Sequence, residues 1–169
     1  KRWGPASWAD AILQGSHLYV STPQYKEPNR SMANQRDWTL TDLDSLPTHS
    51  HPVTKYKPAG DRSTYDHLYT HWNNSSSRTF YRVAWRNMAP LTGERTLVPA
   101  IIPPQAAHLQ SVTSASTSSH RLRDVPLIAG VSSSLIADFM IRAAGRSHIN
   151  GSDFSLLPSL DASHPFTTA

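Results

Sequence analysis

The chain has 169 residues, the length of about one domain. Apolar residues make up 38% and charged residues 17%, with Ser, Thr, Asn, Pro and His supplying the difference, so one modest core can be filled but not two. Sixteen Lys and Arg oppose twelve acids, and twelve of the sixteen are Arg, which suits phosphate or carboxylate partners as readily as ordinary surface charge. The absence of cysteine excludes a disulfide framework, a thiolate zinc site, a cysteine nucleophile and an iron–sulfur cluster. No apolar run approaches the roughly 18 residues of a transmembrane helix, so no membrane partner is expected. The chain starts Lys-Arg-Trp, with no Met and no signal-peptide apolar region, and the expectation is a piece of a larger cytoplasmic protein.

Taken in chain order, residues 1–14 carry apolar side chains at Trp3, Ala6, Trp8, Ala11, Ile12 and Leu13, a pattern for a short helix or for the edge of a preceding unit. The stretch up to residue 22 is expected to be a linker or the border of a parent's preceding domain, within a single domain over 1–169. Pro28, Pro47, Pro52 and Pro58 then interrupt any long helix. Trp38-Thr39-Leu40 predicts a short strand, and Asp42 to Leu46 a turn of helix capped by Thr41 or Asp42. Tyr65, Leu68, Tyr69 and Trp72 lie at helical spacing within Asp61 to Trp72.

The central block is the most regular. Thr79 to Arg86 is aromatic and β-branched and predicts a strand. Asn87 to Glu94 reads as a loop, and Arg95 to Ile102 as a return strand whose Pro99 demands an edge position or a bulge. An antiparallel hairpin follows. Ser111 to Ser119 holds seven Ser or Thr in nine positions and reads as a mobile surface linker. Pro126 to Gly145 has Leu127, Ile128, Val131, Leu135, Ile136, Phe139, Met140 and Ala143 at the 3.6 period and predicts one helix stopped by Gly145. Asn150-Gly151 is a turn signal. The fold class is therefore α+β, with an antiparallel or mixed sheet and flanking helices.

Nine histidines require a metal site to be weighed. His49 and His51 lie in a Pro-flanked loop, and His67 and His71 sit four apart on a predicted helix, a spacing that lets two imidazoles share a metal. No acid or further His stands at a motif distance, Leu68 follows His67 where a zincin has Glu, and chance pairs at this spacing are common, so no metal is expected. There is no Walker loop, no G-x-G-x-x-G and no G-x-S-x-G elbow. No catalytic residue can be singled out. Hydrolysis by some His and Asp pair is the weakest of the functional readings.

The arginines of the hairpin are more informative. Arg82 and Arg86 are four apart and face the same side of a strand, with Trp85 on the other. Arg78 precedes the strand and Arg95 opens the next. Such a face can lie on phosphates or reach base edges. Alternatively, Arg82 or Arg86 pairs with a buried acid such as Glu94 and ties loop to sheet, and the pattern alone slightly favours this second reading. Arg142, seven residues after Leu135, is expected to be structural, either snorkelling or pairing with an acid beside the apolar stripe.

Tyr81-Arg-Val-Ala-Trp-Arg-Asn-Met-Ala-Pro-Leu-Thr-Gly-Glu-Arg-Thr-Leu-Val-Pro-Ala-Ile-Ile-Pro-Pro104 resembles a signature of large N6-adenine DNA methyltransferases, namely type IIG restriction–modification enzymes and the phage-defence methyltransferases of BREX and DISARM systems. Ser134 to Arg142 resembles a later Ser-x-x-x-Asp-Phe-x-x-Arg helix of that family, and Pro23 to Asn29 a region before the signature more loosely. The resemblance implies a target-recognition part of a bacterial enzyme, lying after the catalytic domain. It implies double-stranded DNA and the parent's catalytic methyltransferase domain as partners. Arg78, Arg82, Arg86, Arg95, Lys55 and Lys57 are the residues expected to contact DNA. The Asn-Pro-Pro-Tyr motif is absent, Pro103-Pro104 follow Ile102, and no glycine-rich cofactor loop is present. The chain by itself is thus expected to be non-catalytic and without a cofactor, S-adenosylmethionine belonging to the parent. The alternative is a structural or protein-interaction module of a defence complex that does not touch DNA.

Overall fold

The computed structural model describes residues 2–31, 33–117 and 121–159. The architecture is α+β. In chain order the elements are β1 (Ile12–Leu13), β2 (Lys26–Pro28), β3 (Trp38–Leu40), α1 (Arg62–Leu68), β4 (His71–Trp72), β5 (Ser75–Ser76), β6 (Arg82–Arg86), β7 (Pro99–Ile102), β8 (Ala107–His108), β9 (Val112–Ala115), α2 (Asp124–Ser132), α3 (Leu135–Ala143) and α4 (Gly151–Phe154).

The centre is a three-stranded antiparallel sheet in the order β7-β6-β9. Val83, Ala84 and Trp85 supply the β-branched, small and aromatic side chains that a strand buried on both faces needs. The hairpin forms in the register Arg82↔Ile102 to Trp85↔Pro99. Pro99 lies on the edge strand, where a missing N–H leaves no gap in the ladder. The Ser/Thr-rich stretch is not a linker: Val112 to Ala115 form the other edge strand, with Arg86↔Val112 and Val83↔Ala115 in register. Thr113 and Ser114 suit an edge strand, which tolerates polar residues, and both are half-buried. The last residues of that stretch, 118–119, lie outside the described residues.

Two layers cover this sheet. On one side an N-terminal layer brings Leu13 and Leu18 against Ala84, Val98, Ala100, Ile102 and Val112. The stretch to residue 22 is therefore not a bordering linker. Its chain folds as a 3-10 turn over Trp8–Asp10, then as β1, which pairs in parallel with β8 through Ile12↔Ala107 and Leu13↔His108. On the other side Trp85, Ala89 and Leu97 meet Ala137, Ile141 and Ile149 of the helical layer. The Trp85 ring stacks on Phe154 at 3.9 Å, and its Nε1 donates to the Ile149 carbonyl at 2.9 Å.

The predicted long helix is two helices, bent by 60°. Ser134 is extended, and its hydroxyl accepts from the Ala137 N–H at 3.1 Å, so it caps α3 and ends the run that began at α2. Pro126 sits in the first turn of α2, where a missing N–H is harmless. Gly145, at φ +63°, terminates α3 in the left-handed conformation that favours glycine. The bend turns the apolar stripe outward: Ala137 and Ile141 are buried, but Leu135, Ile136 and Phe139 are exposed. Helix α1 is shorter than its periodicity suggests and is capped by Asp61, whose carboxylate accepts from the Thr64 N–H at 3.0 Å. Ser63 and Thr64 together hold the Asp61 carboxyl down at about 2. No described helix alone is long and apolar enough to cross a membrane.

Candidate nucleic-acid interface

The arginines of β6 do share one face, but that face is covered. Arg82 is 0% exposed. One end of its guanidinium donates to the Ala106 carbonyl. Arg86 donates through Nε to the carbonyls of Gly15 and Leu18, at 2.8 and 2.9 Å, and lies 5.9 Å from the Tyr25 ring. Burial lowers the pKa of both groups, with Tyr69 beside Arg82 and Tyr25 beside Arg86 opposing the shift. The N-terminal layer thus ends its open main-chain carbonyls on guanidinium groups. Such a role suits Arg, whose rigid fork serves several acceptors at once.

The flanking arginines are spent in the same way. Arg78, 2% exposed, forms an ion pair with Asp66 and donates to the Ala9 carbonyl at 2.8 Å and the Gln105 carbonyl at 2.8 Å. Arg95 donates to the carbonyls of Ser133 and Ser134, at 2.8 and 3.1 Å, and so closes the α2–α3 break. Arg78, Arg82, Arg86 and Arg95, expected at a DNA surface, are instead internal clasps. The strand period gave their common face correctly. The cover of Arg78 and Arg86 comes from residues some seventy positions away, which no local pattern reveals.

The loop between β6 and β7 is also held. The buried Asp138 carboxylate accepts from the N–H groups of Thr96 and Leu97, each at 2.7 Å. Arg95 and Arg142 flank it at 3.5 and 3.7 Å. Arg142 donates further to Thr96 Oγ1 at 3.1 Å and to the Gly93 carbonyl at 2.8 Å. Asn87 and Ala89 pair with 147–149 through Ile149 N to Asn87 O and Ala89 N to Ser147 O. The loop is thus a braced connection, not a free probe for a groove. Glu94, weighed as a partner for Arg82 or Arg86, accepts instead from the Tyr19 hydroxyl at 3.3 Å.

The lysines have a different setting. Lys55 Nζ stands 4.8 Å over the Trp38 ring and donates to the Gln35 carbonyl at 3.1 Å. Lys57 Nζ stands 5.0 Å over Trp3, and Lys26 Nζ 5.2 Å over Tyr25. Trp3 and Thr54 exchange both main-chain hydrogen bonds, at 2.8 and 2.7 Å, which ties the chain start to the Lys55–Lys57 segment. Arg2 pairs with Glu27 of β2 at 2.7 Å, and β2 pairs with β3. Residues 2–3, 26–31, 33–38 and 54–57 therefore form one contiguous region, with six bases (Arg2, Lys26, Arg30, Arg36, Lys55, Lys57) and two acids (Glu27, Asp37). That excess equals the net charge of the whole chain, +4. Arg30, Arg36 and Lys57 are exposed, and so are Trp3 and Tyr56. Trp3, Tyr56, Arg30 and Arg36 were missed in the sequence. The alternation Lys55-Tyr56-Lys57 was the available signal.

The histidines do not converge. The His67 and His71 rings are 6.0 Å apart, and His51 packs edge-on against Trp8 at 5.9 Å. Among the described residues no three metal-ligating side chains come together. Two other histidines, His17 buried and His108 half-buried, are held neutral. His17, whose Nε2 meets the Val53 carbonyl at 2.9 Å, falls to about 4 because burial outweighs its main-chain bonds. His108 falls to about 4 through burial and then the Arg82 charge. A cleft of about 420 Å³ lies between α2 and the chain after α4, lined by Leu127, Ile128, Val131, Phe154, Leu157 and Pro158. No family model, curated protein or solved structure matches the chain.

Proposed function

We propose that the chain is the DNA-reading module of an N6-adenine DNA methyltransferase of restriction–modification or phage-defence type, and that it contacts duplex DNA through the region of Lys55 and Lys57. The observation that carries this reading is the concentration of the chain's whole excess of positive charge, with exposed Trp3 and Tyr56, in one contiguous region. Cations on aromatic platforms can hold phosphates while leaving ring faces for sugars and bases. The module has no reaction of its own in this reading. Cofactor binding and methyl transfer belong to the parent's S-adenosylmethionine-dependent domain, which takes the adenine out of the stack while the reader holds the flanking phosphates.

Anisotropy titration of this chain with a duplex at several salt concentrations tests the reading. Lys55→Ala and Lys57→Ala should each weaken binding to all sequences alike and reduce the salt slope by about one counterion per contact. Arg86→Lys should leave the slope unchanged. An unaltered affinity and slope in the Lys55→Ala/Lys57→Ala double variant would overturn it.

The second reading, a protein-interaction module, is favoured by α3. Leu135 is 74% exposed, and Ile136 and Phe139 are each 69% exposed, an apolar helix face of the kind found at interfaces. In that reading this face would lie against another protein of the complex, and the chain would make no direct contact with DNA.

A further inference from the structure

Arg82 presents an anomaly. Its Nη2 serves the Ala106 carbonyl, but its Nε and Nη1 are buried without a hydrogen-bond partner. Buried donors are nearly always paired, and an unpaired buried charge is costly. Arg78 lies beside it, since the two guanidiniums end the consecutive carbonyls of Gln105 and Ala106. Both lie under the same cover, since the Arg78 guanidinium is 4.9 Å from the Tyr65 ring and 5.9 Å from the Tyr69 ring, and Tyr69 also neighbours Arg82. His108, held neutral there, adds no charge. The acid paired with this cluster is Asp66 of α1, which meets Arg78 alone. Two guanidiniums thus face one carboxylate.

The cover itself is lightly held. Helix α1 has no buried residue. Its ties include the Asp66–Arg78 pair, an exposed pair between Arg62 and Asp10 at 2.6 Å, the Tyr69 hydroxyl, which accepts from the His108 N–H at 3.1 Å, and the Tyr65 and Tyr69 rings against Arg78 and His108. Gly60 before it, at φ +74°, and Asn73 and Asn74 after it, at φ +47° and +62°, are turn conformations at either end of a short segment.

We infer that Arg78 and Arg82 form an oxyanion site for a phosphomonoester, closed in this structure by α1 with Asp66 as the resident anion. A phosphomonoester dianion brings two charges and three acceptor oxygens, and so matches both guanidiniums where one carboxylate matches only Arg78. The incoming phosphate takes the place of the Asp66 carboxylate on Arg78, reaches the edge of Arg82 that Tyr69 now covers, and α1 lifts. The phosphate belongs to a nucleotide or to the end of a nucleic-acid strand. A diester, with one charge, fits less well. This site is separate from the Lys55–Lys57 region and does not rest on the DNA-binding reading.

The test uses the 169-residue chain and its Asp66→Asn variant, in which the competing charge is removed at nearly constant shape. Thermal unfolding is followed against phenyl phosphate, dimethyl phosphate and chloride at matched ionic strength. Phenyl phosphate should raise the Tm of D66N saturably, by about 3 °C at tenfold over its Kd, and should raise that of the wild type less. Exchange of the α1 amides of Tyr65 and Tyr69 should quicken as the site fills, although the whole fold is stabilised. Adding Arg82→Met to D66N should abolish both effects, and if that variant does not fold, the amide exchange of D66N still decides. A 5′-phosphorylated oligonucleotide that acts where its unphosphorylated twin does not assigns the site to a strand end; phenyl phosphate acting where both oligonucleotides fail assigns it to a small nucleotide. Equal response to phenyl and dimethyl phosphate, an equal rise in wild type and D66N, or α1 exchange that phosphate leaves unchanged overturns the proposal.

Discussion

The strand that carries Arg82 and Arg86 and the region that carries Lys55 and Lys57 are both basic and both mixed with aromatics, yet they use charge in opposite ways. On the strand the guanidiniums are inside: Arg86 ends main-chain carbonyls of the N-terminal layer and Arg82 ends that of Ala106. In the lysine region the ammoniums lie over indole rings, with Lys57 open to solvent. The difference follows from chemistry. A planar fork with five donors can be desolvated if carbonyls receive it, whereas a strongly hydrated ammonium keeps to the surface and rests its stem on an aromatic face. Positive charge in a sequence thus divides into a structural part and an available part, and here the larger arginine share is the structural one.

Acid should weaken both regions, and the two losses together make the largest effect. His17 lies under the lysine region, edge-on to Trp38 at 4.8 Å, and His108 lies in the arginine region. Both have folded pKa values near 4, below the ordinary value of 6.5. The unfolded chain therefore binds more protons between pH 6.5 and 4. Stability is full above 6.5 and is lost as pH falls towards 4, by up to roughly 3 kcal/mol for each histidine. Thermal unfolding from pH 7.5 to 4 should show this loss, and His17→Gln and His108→Gln should each remove part of it. Matching pH profiles for wild type and both variants would break the assignment.

The next largest effect concerns the arginine side. Arg82→Ala should cost about 3–5 kcal/mol in chemical denaturation, since it opens a cavity and orphans the Ala106 carbonyl. Arg82→Met should cost less, because it removes the same desolvated charge but fills most of the space that Ala leaves empty. Asp138→Ala should follow, at about 2–3 kcal/mol, as the N–H groups of Thr96 and Leu97 lose their acceptor and Arg95 and Arg142 lose their shared carboxylate. Smallest of all, Lys55→Ala and Lys57→Ala should change stability by under about 1 kcal/mol, while changing DNA affinity if the proposed function holds. A lysine variant as damaging as Arg82→Ala would erase the distinction between the regions.

Local pattern carried the hairpin, its register-compatible arginines, the edge position of Pro99 and the Gly145 stop. It failed where distant chain decides. Ser111 to Ser119 reads as a linker because its composition is polar, but the open edge of β6 recruits Val112 to Ala115. Ser133 and Ser134 sit inside a continuous apolar period, and only the capping bond of Ser134 and the Arg95 clasp on two carbonyls reveal the break. The basic surface was half legible. Lys55 and Lys57 were visible, whereas Trp3 and Arg36 join them only through the Trp3–Thr54 bridge and the Lys55–Gln35 bond.

The arginine clasps also set an order of assembly. Arg86 reaches Leu18 across 68 positions, and Arg78 reaches Ala9 across 69, whereas the β6–β7 hairpin closes within a short loop. Closing the long spans costs more chain entropy, and their contacts are worth little until the sheet exists to receive them. During synthesis the first twenty residues must therefore wait, with Ala11, Leu13 and Leu18 uncovered, until the chain has passed Val112. Pulsed hydrogen exchange during refolding should find the amides of Val83 and Ala84 protected before that of Leu18, and the N-terminal layer should be the last part of the fold to acquire its native rate of exchange.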